Sequence, residues 1–174
     1  SKDISIEAKG KNVLIIGGGD TGSDCLGTSL RQGAENIYQF ELLPQPPEER
    51  KLTNPWPEWP MIMRVSSSHE EAKSEIRKFS VSTKKFSGSD GKIEKVHAVE
   101  VKFGDPDPET GRPPLIEIPE SEFELDVDLV LLAMGFVHPI HEGMIAELGV
   151  KLDDRGNVWC DENKMTSTTS VFVA

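Results

Sequence analysis

The chain has 174 residues, which is enough for one ordinary domain and too few for two full ones. Its 30 acidic and 19 basic residues give a formal net charge of −11, which argues against a surface for nucleic acid or anionic membranes. No apolar run approaches the roughly 20 residues of a membrane helix, and no signal peptide is visible, so we expect a cytoplasmic protein.

The two cysteines, Cys25 and Cys160, lie far apart in the sequence. This separation excludes an iron–sulfur cluster or a cysteine-rich zinc site built from this chain alone. In a reducing cytosol we expect both thiols to be free. The chain begins with Ser rather than Met, and we interpret it as a piece of a longer protein.

The first part of the chain has the pattern of a βαβ unit. The apolar run from Val13 to Ile16 predicts a buried parallel strand, and a glycine-rich turn follows it directly. Residues 23–32 have a helical pattern that stops at Gly33, and residues 37–43 predict a second strand. The whole unit takes about 33 residues, as expected for one strand–helix–strand repeat.

The turn carries the pattern Gly-x-Gly-x-x-Gly between a strand and a helix, which is the context of a dinucleotide-binding site. The first glycine permits a tight turn, the second lets the backbone approach a pyrophosphate, and the third lets helix and strand pack closely. The helix N-terminus adds unpaired N–H groups. A plain glycine-rich turn is the alternative, as is a simple capping role for the Asp and Thr within it. We predict that the cofactor-binding residues here are Gly17, Gly18, Gly19, Asp20, Thr21 and Gly22.

Glu41 ends the second predicted strand, 19 residues after Gly22, close to the expected spacing of about 20. A carboxylate at that point accepts hydrogen bonds from the adenine-ribose hydroxyls and repels a 2′-phosphate. Glu41 therefore favours NADH over NADPH. The alternative is that Arg50, Lys51 or Arg64 folds back to bind a 2′-phosphate.

The middle of the chain predicts an inserted antiparallel β-meander. Residues 44–60 are rich in Pro and include Trp56 and Trp59, which indicates an ordered loop rather than a helix or central strand. A short helix over 66–71 precedes alternating strands at 78–86, 93–103 and 115–118. The fold class predicted is α/β, a Rossmann-like dinucleotide-binding domain with a parallel sheet plus this insertion.

The second strongly apolar run, residues 126–135, predicts another buried parallel strand. Ligands of open α/β sheets bind at the carboxyl ends of the strands, and small residues there let a nicotinamide come close. We therefore add Ala133 and Gly135 to the cofactor-binding set, with a simple packing turn as the alternative. The tail predicts a small helix over 141–148 and a final strand at 170–174.

Other chemistry-bearing groups carry no catalytic or metal prediction. Pro139 interrupts the His138-x-x-His141 pair, so we interpret the histidines, His69 and His97 included, as surface residues. The acidic residues 105, 107 and 109 predict a hairpin tip because the glycine placement is wrong for a calcium loop. The Ser and His at 66–69 lack a nucleophile elbow, and Cys25 is interpreted as structural. We therefore predict no catalytic residue and no metal site.

Several long motifs together resemble the small (beta) subunit of glutamate synthase, and the resemblance runs from about residue 10 to the end. Within that family the sequence is similar to the branch that has an acid at the end of the second strand. The motifs are Gly-Gly-Gly-Asp-Thr-Gly-Ser-Asp-Cys (17–25), Arg-Gln-Gly-Ala (31–34), Phe-Glu-Leu-Leu-Pro-Gln-Pro-Pro (40–47), Asn-Pro-Trp-Pro-x-Trp-Pro (54–60) and Leu-Leu-Ala-Met-Gly-Phe (131–136).

The resemblance implies a pyridine-nucleotide:flavin oxidoreductase. Such subunits have an FAD domain, an NAD(P)H domain inserted into it and a cysteine-rich iron–sulfur region. Hydride passes from NAD(P)H to FAD, and electrons then cross iron–sulfur clusters to the large subunit, where 2-oxoglutarate and glutamine-derived ammonia become two glutamates.

This sequence has one glycine-rich fingerprint and no cysteine cluster. We therefore interpret residues 1–174 as a single NAD(P)H-binding domain, with a core at about 10–137 and a return segment at about 143–174 leading to an absent FAD domain. FAD and iron–sulfur clusters belong only to the full-length protein, and the isolated chain is expected to be inactive. The expected partners are NAD(P)H, the FAD domain of the same subunit and the glutamate synthase large subunit.

Two other functions stay open at this point. The first is a self-contained NAD-dependent dehydrogenase, which needs a catalytic Lys, His or Tyr near Gly135; the single tyrosine, Tyr38, lies inside a predicted strand. The second is a non-catalytic nucleotide-sensing or interaction domain in which the Trp-rich loop contacts a partner.

Overall fold

The computed structural model describes residues 6–50, 52, 62–72 and 76–173. The chain divides into two compact units, Ser1–Met134 and Gly135–Ala174, which are described separately. In chain order the elements are β1 (Asn12–Ile16), α1 (Asp20–Gln32), β2 (Asn36–Phe40), α2 (Ser67–Glu71), β3 (Arg77–Lys78), β4 (Val81–Ser89), β5 (Lys92–Phe103), β6 (Leu115–Glu117), β7 (Phe123–Asp126), β8 (Leu129–Leu132) and α3 (Met144–Leu148).

A parallel sheet with the strand order β3-β2-β1-β8 forms the centre of the first unit. Its register aligns Val13 of β1 with Ile37 of β2 and with Leu129 of β8. Helix α1 connects β1 to β2 and ends at Gly33, whose left-handed φ of 80° is readily adopted by glycine. This strand–helix–strand arrangement confirms the predicted Rossmann-like fold.

The antiparallel insertion is also confirmed, with β5 at its centre. β4 pairs along one edge of β5, with Val81 opposite Glu100 and a bulge between Thr83 and Lys85. On the other edge β5 pairs first with β7 and, further along, with β6. The insertion therefore differs from a simple meander, because two short strands share one edge of β5.

Several predicted boundaries are corrected. The strand predicted over 78–86 is two strands, β3 and β4, because Ser80 adopts a left-handed φ of 56° between them and the chain moves from the parallel to the antiparallel sheet. The run predicted over 126–135 likewise divides, since Asp126 ends β7 and the parallel strand β8 covers only Leu129–Leu132. β2 ends at Phe40 rather than at residue 43.

Apolar side chains cover both faces of the parallel sheet, as expected for strands buried on both sides. One cluster packs Val13 and Ile15 against Leu26 of α1. The other packs Leu14 and Phe40 against Val96 of the antiparallel sheet. Consecutive residues of β1 therefore point to opposite clusters, which is the two-residue period of a strand.

The second unit contains α3 and isolated antiparallel bridges, among them Leu152 with Val158 and Met165 with Phe172. Only that last bridge lies in the strand predicted over 170–174, and residue 174 is outside the described residues. The tryptophans of the predicted ordered loop, Trp56 and Trp59, and Lys51 also lie outside the described residues. No helix in the described part of the chain is long and apolar enough to cross a membrane.

Candidate functional site

The glycine-rich turn is fixed by Gly17 at the end of β1. Gly17 has a φ of 118°, and a Cβ at this position would overlap the backbone carbonyl of Ala133. Its N–H donates to the Phe40 carbonyl at 2.9 Å, which joins the turn to the end of β2. Ala133 is buried and donates its N–H to the Ile16 carbonyl at 2.8 Å. The carboxyl ends of β1, β2 and β8 therefore meet around Gly17.

The N-terminus of α1 faces open space beside the turn. Gly19 is the N-cap, and no side chain caps the helix there. A Cβ at Gly19 would meet nothing within 4 Å, so a ligand can approach this backbone closely. Asp20 and Thr21 are exposed on the first turn. The alternative that they cap the helix is therefore wrong, and the 13-residue helix leaves amides for an anion.

Gly22, by contrast, has no room for a side chain. A Cβ there would overlap the Gly17 carbonyl and lie 2.8 Å from Nε2 of Gln39. The three glycines of the pattern thus have separate roles: Gly17 makes the turn, Gly19 leaves space for a ligand, and Gly22 packs the helix onto the strand.

Glu41 lies where the sequence predicts it, immediately after β2, and its carboxylate covers the backbone of Gly18. Its Oε1 lies 3.3 Å from Nε of Arg77, and both side chains are largely buried, at 16% and 12% exposure respectively. The geometry is that of an ion pair without a hydrogen bond, and within the described residues Oε1 of Glu41 accepts no hydrogen bond. Burial raises the pKa of Glu41, and the Arg77 charge partly opposes that rise.

Arg77 is a site residue that sequence reasoning missed. It lies on β3, a two-residue strand that pairs with β2 in the parallel sheet. Its Nη1 donates to the backbone carbonyl of Arg64 at 2.7 Å, which holds the guanidinium beside Glu41. No pattern in the sequence predicts so short a strand, so only the fold brings these opposite charges together.

His69 is a correction to the interpretation of the histidines as surface residues. It is half-buried, and both ring nitrogens are hydrogen-bonded: Nε2 to Oε1 of Gln39 at 2.8 Å and Nδ1 to Oγ of Ser66 at 2.7 Å. Burial first, and then the Arg77 charge, lowers its pKa to about 4, so the ring is neutral at physiological pH. Ser66 and His69 form a capping box at the start of α2 rather than a nucleophile–base pair.

The remaining predicted residue, Gly135, opens the second unit with a left-handed φ of 82°, and a Cβ there would meet nothing within 4 Å. Cys25 on α1 is half-buried and unbridged. Burial, with the neighbouring charge of Asp24, raises its pKa, which is the opposite of what an activated thiolate needs. This agrees with a structural role for Cys25.

Other polar clusters have structural explanations. Ser87, His97 and Glu124 lie in a row across β4, β5 and β7 with successive contacts of 2.9 Å, but Ser87 is on an exposed strand and Glu124 also pairs with Lys95. Asp107 accepts three hydrogen bonds inside the β5–β6 turn, and hydrogen bonding by Thr110 lowers its pKa. No group of three or more potential metal-ligating side chains occurs among the residues the structure describes.

Comparison with known proteins points to one family and one group of relatives. The profile of the family described as "Pyridine nucleotide-disulphide oxidoreductase" matches residues 1–174. The chain is 49% identical over 169 residues to the "Glutamate synthase [NADPH] small chain" of Mycobacterium tuberculosis H37Rv, covering 97% of this chain and 33% of that protein. It is 44% identical over 147 residues to the "Glutamate synthase [NADH]" of Saccharomyces cerevisiae, covering 80% of this chain and 7% of that protein.

These matches confirm the resemblance to glutamate synthase, and the chain spans about a third of the bacterial relative's length. Among solved structures, thioredoxin reductase from T. acidophilum superposes with a TM-score of 0.57 at 22% identity, over 94% of this chain and 43% of that one. FprA of Mycobacterium tuberculosis, in complex with NADPH, gives a TM-score of 0.57 at 14% identity, over 95% of this chain and 46% of that one. At these identities the structural matches support the fold alone.

Proposed function

The chain belongs to the pyridine nucleotide-disulphide oxidoreductase family, and on that basis we propose that it is the NAD(P)H-binding domain of a glutamate synthase small subunit. The observation that carries the proposal is the buried carboxylate of Glu41 over Gly18, beside the glycine-rich turn. We further propose that residues 143–174 form a return segment towards an FAD domain and that the protein works in the cytoplasm.

The residues present fit a dinucleotide. The space beside Gly19 and the uncapped N-terminus of α1 suit a pyrophosphate. The Glu41 carboxylate lies over Gly18, and its Oε1 accepts no hydrogen bond within the described residues, so the carboxylate keeps acceptor capacity for the ribose hydroxyls. The proposed cofactor-binding set is the turn from Gly17 to Gly22 together with Glu41, Ala133 and Gly135.

The chain's own task in this proposal is to bind and orient. The bound NAD(P)H supplies the hydride, and no side chain of this chain needs to act as acid or base. Gly17 and Gly22 shape the turn, Gly19 admits the pyrophosphate, and Glu41 fixes the adenine ribose. In the full-length protein we propose that FAD receives the hydride and that electrons pass through iron–sulfur clusters to a large subunit that makes glutamate.

For the nucleotide we propose NADH, because the Glu41 carboxylate occupies the place that a 2′-phosphate needs. One observation favours NADPH as the second candidate. The guanidinium of Arg77 lies 3.3 Å from that carboxylate, and a positive charge at this position suits a 2′-phosphate once Glu41 turns away.

A calorimetric titration of the chain with NADH and with NADPH tests the proposal. We expect NADH to bind about tenfold more tightly, as befits hydrogen bonds to a charged acceptor. Glu41→Ala is expected to abolish that preference, whereas Glu35→Ala, the same change at an exposed residue just before the start of β2, is expected to leave it intact. Preference for NADPH in the unaltered chain would mean that Arg77, rather than Glu41, selects the nucleotide. Failure to bind either nucleotide would overturn the proposed function.

A further inference from the structure

Gln39 is an unexpected residue for the centre of a parallel sheet. It is fully buried on β2, with Ile15 of β1 on one side and Arg77 of β3 on the other in the strand register. Its buried neighbours on the sheet are apolar, among them Ile15 and Phe40. A buried amide is costly unless its hydrogen bonds are made, so its presence at this position calls for partners.

Both ends of the Gln39 amide have a partner. Nε2 donates to the carbonyl of Gly17 at 2.8 Å, and Oε1 faces Nε2 of His69 at 2.8 Å. The Gly17 carbonyl can only accept, so the amide nitrogen must point to it and the amide oxygen must point to His69. Nε2 of His69 therefore carries the hydrogen and donates it to Gln39.

The other side of the imidazole is then determined as well. Nδ1 carries no hydrogen and accepts from the hydroxyl of Ser66 at 2.7 Å, with the Ser66 backbone N–H at 3.4 Å. Ser66 is the N-cap of α2, so the capping box of that helix and the carbonyl of Gly17 are the two ends of one directed series of hydrogen bonds. The low pKa of His69, about 4, keeps the ring neutral, and its two hydrogen-bond partners select this tautomer.

The series of hydrogen bonds ends at the Gly17 carbonyl, where the shape of the glycine-rich turn is most constrained. A Cβ at Gly22 would overlap the Gly17 carbonyl and approach Nε2 of Gln39 to 2.8 Å. Gln39 thus touches the point where the first and third glycines pack together. Rotating the peptide after Gly17 would break the Gln39 bond and would also turn the amide of Gly18, one residue before the Gly19 backbone that the proposed function places against the pyrophosphate.

We propose that Gln39 and His69 are positioning residues for the dinucleotide: through the Gly17 carbonyl they hold the glycine-rich turn in the orientation that receives the pyrophosphate. The inference rests on the proposed function. An apolar residue of similar size would fill the space of Gln39, but it would leave the Gly17 carbonyl and Nε2 of His69 without their partner. The polar series therefore serves to orient one peptide group rather than to fill the core.

The test compares ligands that do and do not contain a pyrophosphate. NADH and ADP contact the turn through their phosphates, whereas adenosine reaches only the ribose and adenine positions. In the 174-residue chain, Gln39→Met and His69→Leu are expected to weaken NADH and ADP about tenfold while changing adenosine affinity less than twofold. His69→Gln, whose amide can still donate to Gln39, is expected to bind NADH within about threefold of the unaltered chain.

The controls separate this inference from the proposed function. Glu70→Gln changes an exposed residue of α2 and is expected to leave all three affinities unchanged. If the unaltered chain binds neither NADH nor ADP, the proposed function fails and the inference fails with it. If it binds them and His69→Leu binds equally well, or loses adenosine to the same degree, only the positioning role is overturned. Should Gln39→Met fail to fold, the contrast between His69→Leu and His69→Gln decides.

Discussion

Gly18 and Gly22 differ in what a methyl group would meet at each position. At Gly18 it would meet the movable carboxylate of Glu41, and at Gly22 the fixed carbonyl of Gly17. We expect Gly18→Ala to cost less than about 1 kcal/mol of stability but to weaken NADH binding about tenfold, because Glu41 must leave its place. Gly22→Ala is expected to cost about 2–3 kcal/mol because backbone must move.

Urea unfolding and NADH titration of both glycine variants check this pair of outcomes. The double variant Gly18→Ala with Glu41→Ala is the control. It should bind NADH no worse than Glu41→Ala alone, because the two changes act on one contact. Equal loss of stability at both glycines would contradict the structure.

Arg77 gives the second prediction at this scale. Its charge holds the pKa of Glu41 below the value that burial alone would set. In Arg77→Met the pKa of Glu41 is expected to rise further, so the carboxylate takes up a proton as the pH falls towards mildly acidic values. NADH affinity in this variant should therefore decline more steeply with falling pH than in the unaltered chain.

Titrations with NADH at several pH values measure that difference. Arg77→Met combined with Glu41→Gln carries no titrating carboxyl at this position, so its affinity should lose the part of the added pH dependence that belongs to Glu41. Any part that stays belongs to His69, whose pKa the Arg77 charge also lowers. A single variant whose affinity follows the same pH curve as the unaltered chain would show that Arg77 does not influence the charge of Glu41.

Individual residues also show which parts of the site can be predicted from the sequence alone. Glu41 is predictable because its distance from Gly22 and its place after an apolar strand are both local features. Arg77 is not, because it reaches Glu41 only through the pairing of the two-residue strand β3 with β2. The contact between Gln39 and His69 cannot be predicted either, because the two residues are 30 positions apart and only the fold brings them together. The residues proposed to contact the nucleotide can be predicted from the sequence, and the residues that support them cannot.

At the scale of the element, α2 is joined to β2 by an imidazole that is neutral in the native state. The pKa of His69 is about 4 in the folded chain, against an ordinary value of 6.5. Between these pH values the unfolded chain binds a proton that the native chain does not, so the free energy of unfolding falls as the pH drops from 6.5 towards 4. Allowing for partial solvent exposure, this loss is on the order of 2 kcal/mol.

Urea unfolding at pH 7, 6, 5 and 4 should show this loss in the unaltered chain. His69→Gln keeps a donor for Gln39 but cannot titrate, so its stability should fall less over the same range. Carboxyl groups that titrate there contribute equally to both chains, and the difference between the two curves belongs to His69. Parallel curves would contradict the low pKa.

The boundaries of elements follow the same division between local and distant causes. The Val13–Ile16 strand and α1 are predictable because apolar runs and a glycine stop are local signals. The break at Ser80 is not, because alternation continues through it while the chain changes sheets. The start of β8 likewise depends on a distant contact. The carboxylate of Asp128, the residue before β8, accepts the N–H of Asn12 at 2.8 Å.

At the scale of the whole molecule, the buried core is unevenly divided. Every buried hydrophobic side chain among the described residues lies in the unit Ser1–Met134, from Ala8 to Ala133. In the unit Gly135–Ala174 the buried residue is Thr166, a polar one. A segment of about 40 residues with so little core is not expected to fold alone without disulfides, metals or a larger partner.

We therefore expect a chain cut after Met134 to keep the parallel sheet, the antiparallel insertion and the glycine-rich turn. Its thermal unfolding should be a single cooperative transition with a Tm within about 5 °C of the 174-residue chain. The separate segment 135–174 should show the circular dichroism of an unfolded peptide. Dispersed amide NMR signals from that segment alone, or their loss from residues 1–134, would mean that the second unit carries stability that its buried side chains do not account for.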